Sequence, residues 1–273
     1  MPMHLGKQDA TPVRAGTTLY SQLRRLLVRD SKVSLPTFPS NFGHANAFAG
    51  DGWQMLGNGP DDSVFPGFGG CGDCAWAGPG HEIMESAKTS GRPVPPISGK
   101  TIVAQYSAYS GYDPETGAND TGSNLQDVLA HRQQDGIYDD TGAVHKIGQV
   151  VALTPGNLQE IWECAWLFER VGLGVMVQEA QQEQFARGEA WDYVPGSPVV
   201  GGHYVPQMGR WAIVSWAQRV GITQRYLVNL NDEAYSYIDP DLYSKVTGET
   251  AEGFKDQDLE KFIVLAGRRI FPA

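Results

Sequence analysis

Apolar positions recur at two different periods along this chain, and the switch between them divides it. Leu19, Leu23, Leu26 and Leu27 in TTLYSQLRRLLVR fall at helical spacing, so 17–29 reads as a short amphipathic helix after an extended tail. Residues 33–52, with Pro36, Pro39 and several glycines, read as a linker or wrapped strand. A helix is expected from Cys74 to about Lys88 with Ile83, Met84 and Ala87 inward. Gly78-Pro79-Gly80 interrupts that stretch, and proline removes a helix hydrogen bond beyond the first turn, so a kink or an irregular start is expected. Further helices are expected at 101–109, after a Ser123–Gln126 capping box with Leu125, Val128 and Leu129 inward, and from an Asn157 cap to Val171. Strand-like runs follow at 147–153, 172–178, 200–206, 211–216, 224–230 and 262–267, with 110–122 and 179–199 as polar loops. Helices come early and strands late.

Composition narrows the class. The chain has 273 residues, 41% hydrophobic and 10% aromatic, enough to bury a full core. The net charge is −10, which argues against a nucleic-acid-binding role. Residues 1–33 run the other way, with Lys7, Arg14, Arg24, Arg25, Arg29 and Lys32 against Asp9 and Asp30. That stretch suits either a docking arm for an acidic partner or a solvated helix. No apolar run opens the chain as a secretory signal would, and none reaches the length of a membrane span. Three cysteines do not make a disulfide framework, although Cys71 and Cys164 are a conceivable pair, so a reducing compartment is expected. The loop 112–120 is rich in oxygen ligands but lacks the glycine and carboxylate spacing of a calcium site.

The candidate chemistry lies in Gly70-Cys71-Gly72-Asp73-Cys74-Ala75-Trp76-Ala77. A glycine-lined turn delivers Cys74 to a helix start, where unpaired N–H groups and the helix dipole favour a thiolate. Gly201-Gly202-His203 lies 129 positions later, at the edge of the 130–150 spacing between nucleophile and histidine in papain-like proteases. His81 is a rival base two turns along the same helix, although about 10 Å of rise separates it from Cys74; a core histidine is the simpler reading.

On these motifs the chain resembles papain-like cysteine peptidases, and more narrowly a group of papain-like proteins encoded by tailed phages. The resemblance spans about 53–267, and the GSNLQDVLAHRQQDGI run is also close to the phage group. It implies an α+β, two-lobed papain-like fold, in which a helical lobe with the Cys-bearing helix packs on an antiparallel β lobe. Residues 1–52 would form a basic N-terminal arm and 53–273 the papain-like domain. It also implies Cys74 as nucleophile, His203 as base, and no cofactor or metal. For the oxyanion donor it points to Asn58, provided the insertion at 59–69 loops out; otherwise Phe68 takes that place and has nothing to donate. An Asn-Ser-Trp run follows the histidine in the family, and here the matching run is Val214-Ser215-Trp216. Trp216 keeps its shielding role. Valine cannot orient the imidazole, which leaves Ser215, a backbone carbonyl, an acid from Asn231-Asp232-Glu233, or nothing. The phage group shares this replacement.

Two functions follow. One is a thiol hydrolase acting on a peptide or amide, with a virion protein or a cell-wall peptide as substrate. The other is a papain-like fold with a decayed site, kept as a binding or structural virion component that contacts other virion proteins through residues 1–33. A cell-wall amidase of the NlpC type fits less well, since its histidine follows the cysteine more closely. No nucleic-acid or membrane partner is expected, and the expected location is the host cytoplasm or the virion, without secretion by a signal peptide.

Overall fold

The computed structural model describes residues 5–8, 56, 70–251 and 253–266. The amphipathic run at 17–29, Asn58 and the 59–69 insertion lie outside them. The first helix, α1 (Cys74–Thr89), is continuous through Pro79. It is followed by α2 (Gly99–Ser110) and α3 (Leu125–Gln134). The cap of α3 is Asn124, whose side chain accepts from the N–H groups of Gln126 and Asp127. Ser123, expected as the capping residue, instead accepts from Trp76 Nε1 at 3.0 Å.

A small β1 (Ile137–Tyr138) and β2 (Val144–His145) hairpin precedes the main sheet. That sheet contains β3 (Val150–Ala152), β4 (Val171–Gln178), β5 (Val199–Gly209), β6 (Ala212–Ser215), β7 (Gln218–Gly221) and β8 (Asn231–Tyr237). Its order is β3-β8-β4-β5-β6-β7, antiparallel throughout. Helices α4 (Leu158–Leu167), α5 (Glu179–Ala186), α6 (Gln224–Leu230) and α7 (Asp256–Ala266) complete it.

Side-chain alternation sends the two faces of the sheet to two cores. Val171, Leu173, Val175 and Val177 of β4 join Val205 and Ala234 in a core with α4, α6 and α7. Tyr204, Tyr235 and Tyr237 face the other way, onto α1, α2 and α3. The helical lobe therefore lies on one face of the antiparallel sheet, as expected from the fold class.

Several local expectations fail for identifiable reasons. Residues 224–230 form a helix because the Thr223 hydroxyl accepts from the Tyr226 N–H and because Tyr226, Leu227 and Leu230 are buried while Val228 is 54% exposed. That burial has helical rather than strand period. Residues 262–266 belong to α7, whose first turn carries Asp256 and Asp258, favourable at a helix N-terminus. The 179–199 stretch contains α5, started by the Gln178 N–H donating to Gln181 Oε1 at 2.7 Å. The Asn157 helix stops at Leu167 so that β4 can begin. All three cysteines are free thiols, so Cys71 and Cys164 are not bridged. No helix among the described residues is long and apolar enough to cross a membrane.

Candidate functional site

Cys74 is the first residue of α1. The turn before it needs Gly70, at φ 86°, and is held from outside: the Gly72 N–H donates to both oxygens of Asp120, at 2.9 and 3.1 Å. Asp120 also accepts from Tyr106. The 110–122 loop is thus more than a solvated connection, since it fixes the entry to the nucleophile helix.

His203 lies on β5, opposite Val175 of β4, in the middle of the sheet. The next residue joins β5 to α1 at two atoms. The Tyr204 N–H donates to Cys74 Sγ at 3.3 Å, and its hydroxyl donates to Glu82 Oε1 at 2.6 Å. Between these points Gly78 admits the Tyr204 ring, which would lie 2.5 Å from any added Cβ.

The imidazole Nε2 is 2.9 Å from Ser215 Oγ. Nδ1 is buried with no hydrogen-bond partner among the described residues. A serine oxygen accepting from Nε2–H leaves the Nδ1 lone pair free to take a proton. Val214 occupies the place before Ser215 and only lines the cavity. The acids of 231–233 are engaged elsewhere: Asp232 and Glu233 both pair with Lys7, and the Asn231 amide donates to Gly174 O.

Trp216 stacks on the His203 ring at 5.0 Å and 23°. It reaches that position through a two-residue β6–β7 hairpin in which Trp216 and Ala217 both have positive φ, 45° and 57°. Such a hairpin favours Asn-Gly, so the chain accepts backbone strain where it seats this indole. Trp191 lies 6.4 Å from His203 and 5.4 Å from Trp216, and Phe185 packs on Trp216 at 4.8 Å. Neither was foreseen; the aromatic content of an otherwise polar stretch was the available signal.

Cys74 and His203 thus line one cavity together with Ala77, Gly78, His81, Tyr204, Val214, Ser215 and Trp216. Its volume is about 10 Å³, the space of a single water. His81 is buried on the same lining. Burial governs the electrostatics. It pushes the Cys74 thiol up to about 12, against hydrogen bonds from the Tyr204, Gly6 and Ala75 backbone, and it pushes His203 down to about 3. The helix-terminal location favours a thiolate, but desolvation wins here. Both groups are neutral in this arrangement, and no hydrogen bond joins sulfur to imidazole. No group of three His, Cys, Asp or Glu among the described residues is placed to hold a metal.

A cysteine at a helix start, lining one cavity with a histidine of an antiparallel sheet, sits in the fold of the papain-like cysteine proteases. The chain is similar to the procathepsin B S9 of Trypanosoma congolense, at 13% identity and a TM-score of 0.52 over 86% of each chain. It is also similar to the proform of Amb a 11, a cysteine protease and major ragweed pollen allergen, at 13% identity and a TM-score of 0.51. That match covers 76% of this chain and 61% of the other. A structure from the mite allergens Blo t 1 and Der p 1 is similar at 12% identity and a TM-score of 0.51, covering 76% and 73%. These likenesses carry the fold. No profile of a known protein family matches the sequence, and no curated protein does.

Proposed function

We propose that this chain is a papain-like cysteine hydrolase that cleaves a peptide or amide bond with Cys74 as nucleophile and His203 as base. The observation that carries the reading is His203 itself: Nε2 is held by Ser215, while Nδ1 is left without a partner in the cavity that Cys74 also lines. In the reaction, Nδ1 takes the thiol proton as Sγ bonds to the carbonyl carbon. The C–N bond then breaks, and the departing amine receives that proton. Water attacks the thioester and gives a proton to Nδ1; the C–S bond breaks, the acid leaves, and Nδ1 returns the proton to sulfur. The Cys74 backbone N–H and the Asn58 side chain are the proposed oxyanion donors. Trp216 keeps water from the pair, and Ser215 orients the ring.

The resemblance to tailed-phage proteins supports a virion protein or a cell-wall peptide as substrate. It also supports the division into a basic arm, 1–52, and a papain-like domain, 53–273, with residues 1–33 contacting other virion proteins. A second reading, a degenerate papain-like fold serving as a structural or binding component of a virion, is favoured by the burial of Cys74 and His203, which disfavours the charged form of each.

Alkylation by iodoacetamide from pH 4 to 9, mapped by mass spectrometry, separates the two readings. The hydrolase reading expects Cys74 labelling at pH 7 to fall at least tenfold in His203→Ala, with Cys71 and Cys164 unchanged. Equal Cys74 labelling in both proteins overturns it in favour of the structural component.

A further inference from the structure

Residues 5–8 thread between the two walls of the cleft. On one wall, the Ser123 N–H donates to Gly6 O at 2.7 Å and the Gln8 N–H donates to Ser123 O at 3.0 Å. On the other, the Lys7 N–H donates to Gly202 O at 3.1 Å, next to His203. The Gly6 N–H bonds the Cys74 sulfur. The segment thus makes a bridge to each wall, parallel to Ser123 and antiparallel to Gly202.

The walls are cut to admit a peptide backbone. A Cβ on Gly122 would lie 2.1 Å from Gly6 O, and one on Gly202 would lie 2.9 Å from Lys7 O. Only glycine permits these approaches. Gly174 makes room for the Lys7 stem, whose Cδ lies 3.0 Å from the position of an added Cβ. The Lys7 side chain is 1% exposed. Its ammonium lies 2.9 Å from Asp232 Oδ2 and 3.1 Å from Glu233 Oε1, and it donates to Gln8 O at 2.9 Å. Glu233 is itself buried and accepts from the Tyr235 hydroxyl at 2.6 Å. A buried carboxylate is costly unless a cation meets it.

We propose that Glu233 with Asp232 forms a subsite of this channel that selects a lysine or arginine side chain, filled in this structure by the chain's own Lys7. The inference rests on the hydrolase reading for its placement beside Cys74, and it names the substrate class: peptides bearing a basic residue. Glu233 is the specificity-determining group, because it is the buried partner of the ammonium. Asp232, with 29% of its side chain exposed, adds charge at the rim.

The test is equilibrium binding of a fluorescent octapeptide, MHLGKQDA, to the full chain, followed by anisotropy. Lys7→Glu sets a like charge against Glu233 and vacates the subsite. It is expected to bind the peptide at least tenfold more tightly than wild type, whose own segment competes. Replacing the peptide lysine by norleucine should weaken binding to Lys7→Glu at least tenfold. Adding Glu233→Gln should erase that difference, and adding Asp232→Asn, a rim change that spares the buried hydrogen bond to Tyr235, should reduce it. Equal binding of the lysine and norleucine peptides, or no binding by Lys7→Glu, overturns the subsite. Mass analysis of the recovered peptide reads the other question separately. Cleavage supports the hydrolase; an intact but selectively bound peptide leaves the subsite standing, and the alkylation of Cys74 decides the hydrolase reading.

Discussion

Two buried polar clusters lie along α1, and they are satisfied to different degrees. At Glu82, two turns into the helix, both carboxylate oxygens are engaged: Oε1 by the Tyr204 hydroxyl, Oε2 by Arg132 and the Tyr237 hydroxyl, each at 2.6 or 2.7 Å. Arg170, fully buried, joins Glu85 at 2.8 Å and Asp239 at 3.3 Å. Burial alone would raise the Glu82 carboxyl, but Arg132 and Arg170 outweigh it and hold the group below its ordinary range. At the start of the same helix no opposite charge offsets burial: backbone hydrogen bonds oppose it only in part at Cys74 and nothing opposes it at His203, so the charged form of each is disfavoured. A charge network whose central carboxylate is fully engaged ties α1 to α3 and to the sheet. A pair with one nitrogen left open retains the capacity to react.

The largest effect is expected from breaking the satisfied cluster. Glu82→Ala leaves Arg132 and Arg170 buried without their central acid, and it should cost about 3–5 kcal/mol in urea unfolding. A loss below 1 kcal/mol would mean that the arginines find other partners and the network is not what ties α1 to α3 and to the sheet.

The second prediction sharpens the contrast through pH. The His203 proton affinity is lowered from 6.5 to about 3 in the folded chain. The unfolded chain therefore takes up a proton first as pH falls, so the stabilising contribution is complete above 6.5 and is lost on descending toward 3. By pH 4 the loss relative to pH 7 is on the order of 3 kcal/mol. His203→Gln should remove that share of the acid sensitivity, read as the pH 7 to pH 4 difference in unfolding free energy. An unchanged difference would show that the imidazole binds its proton equally well in the folded and unfolded chain.

The smallest effect concerns Ser215. A single neutral hydrogen bond is worth about 1 kcal/mol, so Ser215→Ala should slow Cys74 alkylation roughly three- to tenfold at pH 7 with little change in thermal midpoint. A much larger loss would place Ser215 in the chemistry itself, and no loss would mean that Trp216 stacking alone orients the ring.

What the sequence made legible was local. The glycine turn before Cys74, the helix behind it and the Gly-Gly-His run on a strand could be read because short-range spacing determines them. The apolar content of 224–230 and 262–266 fits either element; the Thr223 cap and the exposure of Val228 decide the first, and the helix that opens on Asp256 and Asp258 decides the second. The partners of Asp120, Ser123 and Trp191 are unreadable for another reason. Each acts on a partner far along the chain, on Gly72, on Trp76 and on His203 respectively, and no periodicity encodes such pairings. The role of Asp232 and Glu233 was likewise unreadable until the fold brought Lys7 to them from the other end of the sequence.

Tyr204 touches α1 at Cys74, Gly78 and Glu82, positions separated by four residues each and hence aligned along one side of the helix. Three contacts in a row on one rigid rod act like pins through a hinge plate. The helix can neither slide along β5 nor roll over it without breaking at least one of them. The spacing between the backbones of Cys74 and His203 is thereby set by a residue that takes no part in the reaction. The motion left to bring sulfur and nitrogen together is rotation of the two side chains about their own bonds.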